Sequence, residues 1–512
     1  MTAVEWIKNT VELCINIYKT DVDNNRESFN ILEDIYNDFD EEDKAEIERI
    51  FLRNFGNDDL IYIFSVFIFY MDNEAFKQLL YSEIVKKNST DIIERTVFEL
   101  QIRKFLGDYF AEKALYHRRS VELVCNIFEK KEYIPVCTRN KKRVVIFADQ
   151  ILNPRHAPTK IIMEFCYVLQ EYLHYEVVIF SCPTDTIFDR EKYYYTICLK
   201  SIPDKEDVWL EALYRDIKIT LRQTCLKEDR VIEKYSAIFD FIYDYNPYFV
   251  LNMGANNPMV DYIKTFTTLV ASDFSVECPI AEADILMRGT RRDIETENMY
   301  AEVMEGKQQI FTTRTLPVIG SEDTKVLKRE ENGLPEDKFL ICLVGNRLDN
   351  EIDKNFIKIL ESVLRENFNT CLVIIGDVEV LNKKLDSSIF EGRVYYMGYR
   401  EDLESVYTMM DLYLNPDRQG GGWSAGMAIM SEVPVVTLPD CDVASNVDSR
   451  FWVDSYEQMI LRINRYVNDK TFYEEEKSYI HNNCIKDLEK ETLEYVTEFM
   501  NLIIDSIEKM DR

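Results

Sequence analysis

The chain has 512 residues, too many for one ordinary hydrophobic core, so about two to four domains are expected. A hydrophobic content of 46% and an aromatic content of 12% exclude a disordered chain. With 61 Lys+Arg against 92 Asp+Glu, a net charge of −31, the chain has no broad basic face for phosphates, which argues against a nucleic-acid partner.

Residues 1–138 read as an all-helical domain. Segments such as "VEWIKNTVELCINIY", "ESFNILEDIYNDF", "DKAEIERIFLRNF", "AFKQLLYSEIVKK", "DIIERTVFELQIRKFL" and "SVELVCNIFEKK" repeat apolar residues at three- and four-residue spacing. The longest apolar run, "LIYIFSVFIFYM" at 60–71, has 12 residues and reads as a buried helix, because a bilayer span needs about twenty. The start "MTAVEWIKNTVEL" carries no basic segment followed by an apolar one, so no secretion signal is expected. The 12 cysteines include no CxxC spacing. Several sit in apolar runs, as expected for small core residues in a reduced, cytoplasmic protein without structural zinc.

At "NKKRVVIFADQ" the pattern changes. Short, continuous, β-branched runs read as strands buried on both faces. They alternate with helices: "TKIIMEFCYVLQEYL", the strand "YEVVIFS", "VIEKYSAIFDFIYDY", the strand "YFVLNMG", "PMVDYIKTF" and the strand "TLVAS". Such alternation predicts a parallel sheet between helices over 139–325. The polar stretch 320–337 reads as a linker region. A second alternation over 326–485 has the strands "FLICLVGN", "CLVIIGD", "RVYYMGY", "DLYLNPD" and "VPVVTLP", and charged amphipathic helices close the chain, the last at 486–512. The expected fold is α/β: an all-α domain followed by two doubly wound, Rossmann-like lobes. In such lobes ligands bind beyond the carboxyl ends of the strands, which selects the loops 149–160, 345–354 and 415–426.

Glycine is scarce, 15 residues in all, yet Gly420, Gly421 and Gly422 stand together after "DLYLNPDRQ" and before "WSAGMAIMSE". A glycine-rich turn feeding a helix N-terminus can hold phosphates on backbone N–H groups, and Ser424 could add a hydroxyl. The other reading is a flexible turn between strand and helix. In "GNRLDNEIDKNF", Arg347 follows a strand and could pair with phosphate oxygens. It could equally form a surface salt bridge with Asp349 or Glu351. Asn346 lies beside it, and Lys354 reads either as a ligand or as a solvated lysine at a helix start. His156, in "NPRHAPTK", sits at a strand end where a neutral imidazole could take a proton from an acceptor hydroxyl, or serve only structure. Thr159 lies in the same loop, and Gly254 and Asn256 in "NMGANNP" could line an acceptor site or make an ordinary turn.

The segments from "LPEDKFLICLVGNRLDNEID" through "DLYLNPDRQGGGWSAGMAIMSEVPVVTLP" resemble the nucleotide-sugar-binding lobe of GT-B glycosyltransferases over about 336–470. A helical domain ahead of two such lobes is the layout of the bacterial adhesin N-glycosyltransferases, relatives of the O-GlcNAc transferases. Their His-Pro-Thr-like loop is similar to His156, Pro158 and Thr159 here, with Ala157 as an insertion. The resemblance implies a nucleoside-diphosphate sugar donor, UDP-linked, in the interlobe cleft, and a protein or glycan acceptor. Arg347 and the backbone at Gly421 to Ser424 would contact its diphosphate. No metal cofactor is implied, and the helical domain would orient the acceptor or mediate association with a partner. Retaining members of the family place two glutamates around this loop. The corresponding positions here are Met427 and one near Gln419, with Asp417 close by. A thioether cannot accept ribose hydrogen bonds as a carboxylate does. The expected function is therefore glycosyl transfer, with two alternatives: a degenerate GT-B subunit that binds an acceptor protein or partner enzyme, and a nucleotide-sugar epimerase of the same architecture.

Overall fold

The structure, a computed structural model, describes residues 1–17, 26–54, 110–148, 151, 157–182, 207–224, 230–254, 257–272, 280–289, 308–313, 324–400, 402–418, 420–439, 441–485 and 488–510. The chain divides into two compact units, Met1–Thr313 with Val496–Arg512, and Arg314–Tyr495.

The first unit opens with helices α1 (Ala3–Ile17), α2 (Arg26–Asn37) and α3 (Glu41–Asn54). Trp6 on α1 is buried; its indole donates to the Leu32 carbonyl at 2.7 Å, and its ring meets Tyr36 at 5.2 Å. The helices expected within 75–106 and the apolar run at 60–71 lie outside the described residues. Helix α4 (Phe110–Ile127) carries His117 into the core, where Nε2 lies 2.6 Å from Asp261 Oδ2. That carboxylate also accepts the Glu282 amide at 2.6 Å.

An eight-stranded sheet follows, ordered β3-β4-β2-β1-β5-β6-β7-β8. Its strands are β1 (Asn140–Ala148), β2 (Glu176–Ser181), β3 (Trp209–Tyr214), β4 (Ile217–Gln223), β5 (Pro247–Asn252), β6 (Leu269–Ser272), β7 (Ile285–Gly289) and β8 (Gln309–Thr313). Every pairing is parallel except the β3–β4 hairpin. Helices α5 (Ala157–Tyr167) and α6 (Val231–Tyr245) connect strands as expected. The hairpin, β7 and the edge strand β8 have no counterpart among the expected elements. Along β3 the residues alternate between exposed and half-buried, so no continuous apolar run marks it.

The second unit holds a five-stranded, all-parallel sheet, β11-β10-β9-β12-β13. These strands are β9 (Phe339–Val344), β10 (Thr370–Ile375), β11 (Val394–Gly398), β12 (Leu412–Leu414) and β13 (Val435–Val436). Its helices include α7 (Leu348–Glu351), α8 (Lys354–Glu366), α9 (Gly422–Met430), α10 (Tyr456–Asn468) and α11 (Lys470–Tyr479), and the last helix, α12 (Leu488–Met510), belongs to the first unit from Val496 onward. Successive strand residues face opposite sides of a sheet. On β9, Leu340, Cys342 and Val344 join the core that Ala425, Ala428 and Ile429 of α9 cover. Ile341 and Leu343 join a second core against Phe356, Leu360 and Val363 of α8 and Ile463 of α10. Both faces are covered, which is why β9 reads as an unbroken apolar run. Burial pushes the Cys342 thiol pKa up, as expected of a core cysteine.

The stretch expected as a linker differs from expectation over its described part. The Lys325 amide donates to Ser405 Oγ at 2.9 Å, and Arg329 pairs with Asp411 at 2.8 Å. These contacts dock the described part of the stretch within the second unit. At the chain's end, Val496, Phe499, Met500, Ile503 and Ile507 of α12 form one buried stripe, and Phe499 meets Phe165 of α5 edge-on at 5.3 Å. Among the described residues, no helix is long and apolar enough to cross a membrane.

Candidate functional site

β9 and β12 are parallel neighbours, so the loops leaving their carboxyl ends, at Gly345 and Asn415, emerge side by side. Arg418 ties them together. Its Nη2 donates to the Val344 carbonyl at 2.7 Å and to Tyr413 OH at 3.2 Å, its Nε to Asn415 Oδ1 at 2.9 Å, and its Nη1 to Glu351 Oε2 at 2.7 Å. The Arg418 side chain is 4% exposed. Burial works against its charge, but Tyr413 and Glu351 hold its pKa above the ordinary arginine value. The other Glu351 oxygen lies 3.0 Å from Nη2 of Arg347, whose side chain is 67% exposed. One carboxylate thus bridges a buried guanidinium and an outward-facing one.

This arrangement accounts for the glycine triplet. A Cβ on Gly420 would stand 2.5 Å from Arg347 Nη2, and one on Gly421 would stand 2.5 Å from Arg418 Nη2. Gly421 also has φ +88°, where side chains are disfavoured. A Cβ on Gly422 would collide with Asn446 and Asp442. Each glycine leaves room for a particular polar side chain. The Gly422 amide donates to Asp442 Oδ2 at 2.8 Å, so one N–H at the start of α9 already holds a carboxylate.

The expected site residues are placed as follows. Asn346 Oδ1 accepts the Asp377 amide at 3.1 Å. Ser424 donates its hydroxyl to the Gly421 carbonyl at 3.0 Å. Met427 is partly buried and packs against the core under α9. Lys354 is exposed at the first position of α8, and Asp417 is exposed near Tyr456. In the first unit, Thr159 is fully buried on α5, and the buried Gly254 donates its amide to Asn252 Oδ1 at 3.1 Å. His156, Asn256 and Gln419 lie outside the described residues. The structure brings Arg347 to Gly420 and adds Arg418, Glu351, Asn415 and Asp442. Arg418 stands two residues before the triplet, a visible signal; Asp442 lies 20 residues from Gly422, with no local signal.

Asp349 is no partner of Arg347. Its carboxylate accepts the amides of Glu379 at 2.8 Å, Val380 at 3.0 Å and Leu381 at 2.6 Å. Partial burial pushes its pKa up, but these amides prevail and hold it below the ordinary value. A lowered folded-state pKa gives stability that is complete above the unfolded value, about 3.9, and lost as pH falls through the folded one. Replacing Asp349 with alanine should therefore cost about 1–2 kcal/mol at neutral pH, the scale of a solvent-screened cap. Urea melts should show that difference shrinking at acid pH. A difference independent of pH would remove the carboxylate's charge from the account.

Residues 338–469 match the family model described as glycosyl transferases group 1. No curated protein sequence matches the chain. An O-GlcNAc transferase mutant from Thermobaculum terrenum is similar in structure, with 12% identity and a TM-score of 0.50, over 98% of this chain and 98% of that one. A UDP-forming α,α-trehalose-phosphate synthase from Burkholderia xenovorans has 9% identity and a TM-score of 0.47, over 72% of this chain and 99% of its own. WaaG, a glycosyltransferase involved in lipopolysaccharide biosynthesis, has 14% identity and a TM-score of 0.44, over 69% and 99%. At such identities the likeness is one of fold.

Proposed function

From a chain of GT-B fold whose residues 338–469 match the group 1 glycosyltransferases, we propose a transferase that moves a sugar from a UDP-linked donor to a protein or glycan acceptor in the cytoplasm. The observation that carries this is the Arg347 guanidinium, exposed and set against Gly420 beyond the carboxyl end of β9. A nucleoside-diphosphate leaving group gains negative charge as the sugar bond breaks. A fixed cation at that position lowers the barrier. In this reading Arg347 supplies that charge without a metal ion, His156 takes the acceptor proton, and the helical domain orients the acceptor.

A second reading, a degenerate subunit that binds an acceptor protein or a partner glycosyltransferase, is favoured by two observations. Met427 packs into the core where the family's acidic residue would meet the ribose, and Asp442 occupies the Gly422 amide.

Calorimetric titration with UDP, and with GDP as control, separates the two. The transferase binds UDP, and Arg347→Ala weakens binding by about 1–3 kcal/mol, the scale of a charge-assisted hydrogen bond. Adding EDTA leaves the affinity unchanged. Wild-type protein that binds neither nucleotide favours the degenerate subunit, and unchanged binding in the variant removes Arg347 from the site.

A further inference from the structure

We propose that Arg418 is a positioning residue for the diphosphate site, acting on Arg347 through Glu351; this rests on the donor-site reading above. Long, exposed arginines sample many rotamers, and fixing one costs entropy. Here the fixing group is built into the sheet. The Arg418 guanidinium is held by the Val344 carbonyl, Asn415 and Tyr413, all buried. It occupies a slot between two glycines: a Cβ on Gly345 would stand 2.5 Å from Nη1, and a Cβ on Gly421 would stand 2.5 Å from Nη2. Glu351, 13% exposed, spans from this anchor to Arg347, with its oxygens 2.7 Å and 3.0 Å from the two guanidinium groups. The anchor thereby sets where the outer guanidinium stands over Gly420.

The sign of one substitution separates positioning from charge alone. Glu351 is an anion beside a site for anions. If it acted only through its charge, removing that charge would strengthen diphosphate binding. If it positions Arg347, removing it weakens binding. The test is calorimetric titration of the full chain with UDP, for wild type, Glu351→Gln, Glu351→Asp and each in an Arg347→Ala background. Glu351→Gln keeps the length and loses the charge; Glu351→Asp keeps the charge and loses the span. Both are expected to bind UDP about tenfold more weakly than wild type, as for one misplaced charge-assisted contact. Once Arg347 is alanine, Glu351→Asp should not matter and Glu351→Gln should no longer weaken binding. Arg418→Lys, which keeps the charge but loses the forked geometry, should weaken binding similarly wherever circular dichroism shows a native fold. Tighter binding by Glu351→Gln, or wild-type affinity in Glu351→Asp, overturns the positioning role while leaving the donor site standing. Wild-type protein that binds no UDP overturns the donor site, and this role with it.

Discussion

Gly421→Ala is expected to destabilise the second unit by about 3–5 kcal/mol. A side chain at φ +88° costs about 1–2 kcal/mol by itself. The added Cβ would also stand 2.5 Å from Arg418 Nη2, 3.1 Å from its Cζ and 3.2 Å from Tyr413 OH. Arg418 has little room to yield, because Gly345 closes the other side of its slot. Displacing it strains its buried ion pair with Glu351, adding about 2–3 kcal/mol, less than the about 3–5 kcal/mol of losing one partner outright. Urea unfolding followed by tryptophan fluorescence measures the change, since Trp423 and Trp452 lie in this unit. Gly333→Ala is the control: Gly333 has φ +70° but nothing within 4 Å of an added Cβ, so only the backbone cost of about 1–2 kcal/mol remains. Equal losses in the two variants would mean that the slot around Arg418 contributes nothing.

Asp261→Ala should produce a comparable loss in the first unit. Asp261 is fully buried, and one of its oxygens serves both His117 Nε2 and the Glu282 amide. Removing the carboxylate takes a buried partner from the His117 imidazole and a partner from the Glu282 amide, at a cost of about 3–5 kcal/mol for a broken buried pair. At about 2.1 cal/mol/K of unfolding entropy per residue, each kcal/mol lowers the melting temperature of this larger unit by about 1–2 °C. A scan should therefore show a fall of roughly 4 °C or more. A shift under about one degree would show that water satisfies both groups and that the pair does not support the unit. The contact joins α4 to the segment after β5, so its loss also tests how firmly α4 is held to the sheet.

The parts legible in the sequence are those where local chemistry decides. Continuous apolar strands such as "FLICLV" were readable because both faces of their sheets are covered. The GT-B resemblance holds for the same reason: it rests on buried strands and the turns between them. The β3–β4 hairpin was not readable. Its outer strand is an edge, and six residues, "WLEALY", interrupted by Glu211, are too short a run to separate a strand from a helical segment.

For the site, the triplet could be found but its purpose could not. Sequence chemistry alone makes a run of glycines before a helix a phosphate cradle or a flexible turn. The structure assigns each glycine a neighbour instead: Arg347 for Gly420, Arg418 for Gly421, and Asp442 with Asn446 for Gly422. Likewise, the sequence left Arg347 a choice between Asp349 and Glu351. The structure decides for Glu351, because Asp349 is drawn away to the amides of residues 379–381. By itself the sequence determined the described helices ahead of β1, the two runs of buried parallel strands and the loops leaving β9 and β12, since burial and periodicity are written residue by residue. Only the tertiary structure decided which charges share a carboxylate and which glycine makes room for which side chain. Those contacts join strands and helices up to 74 residues apart, and the chain's own order does not encode their distances.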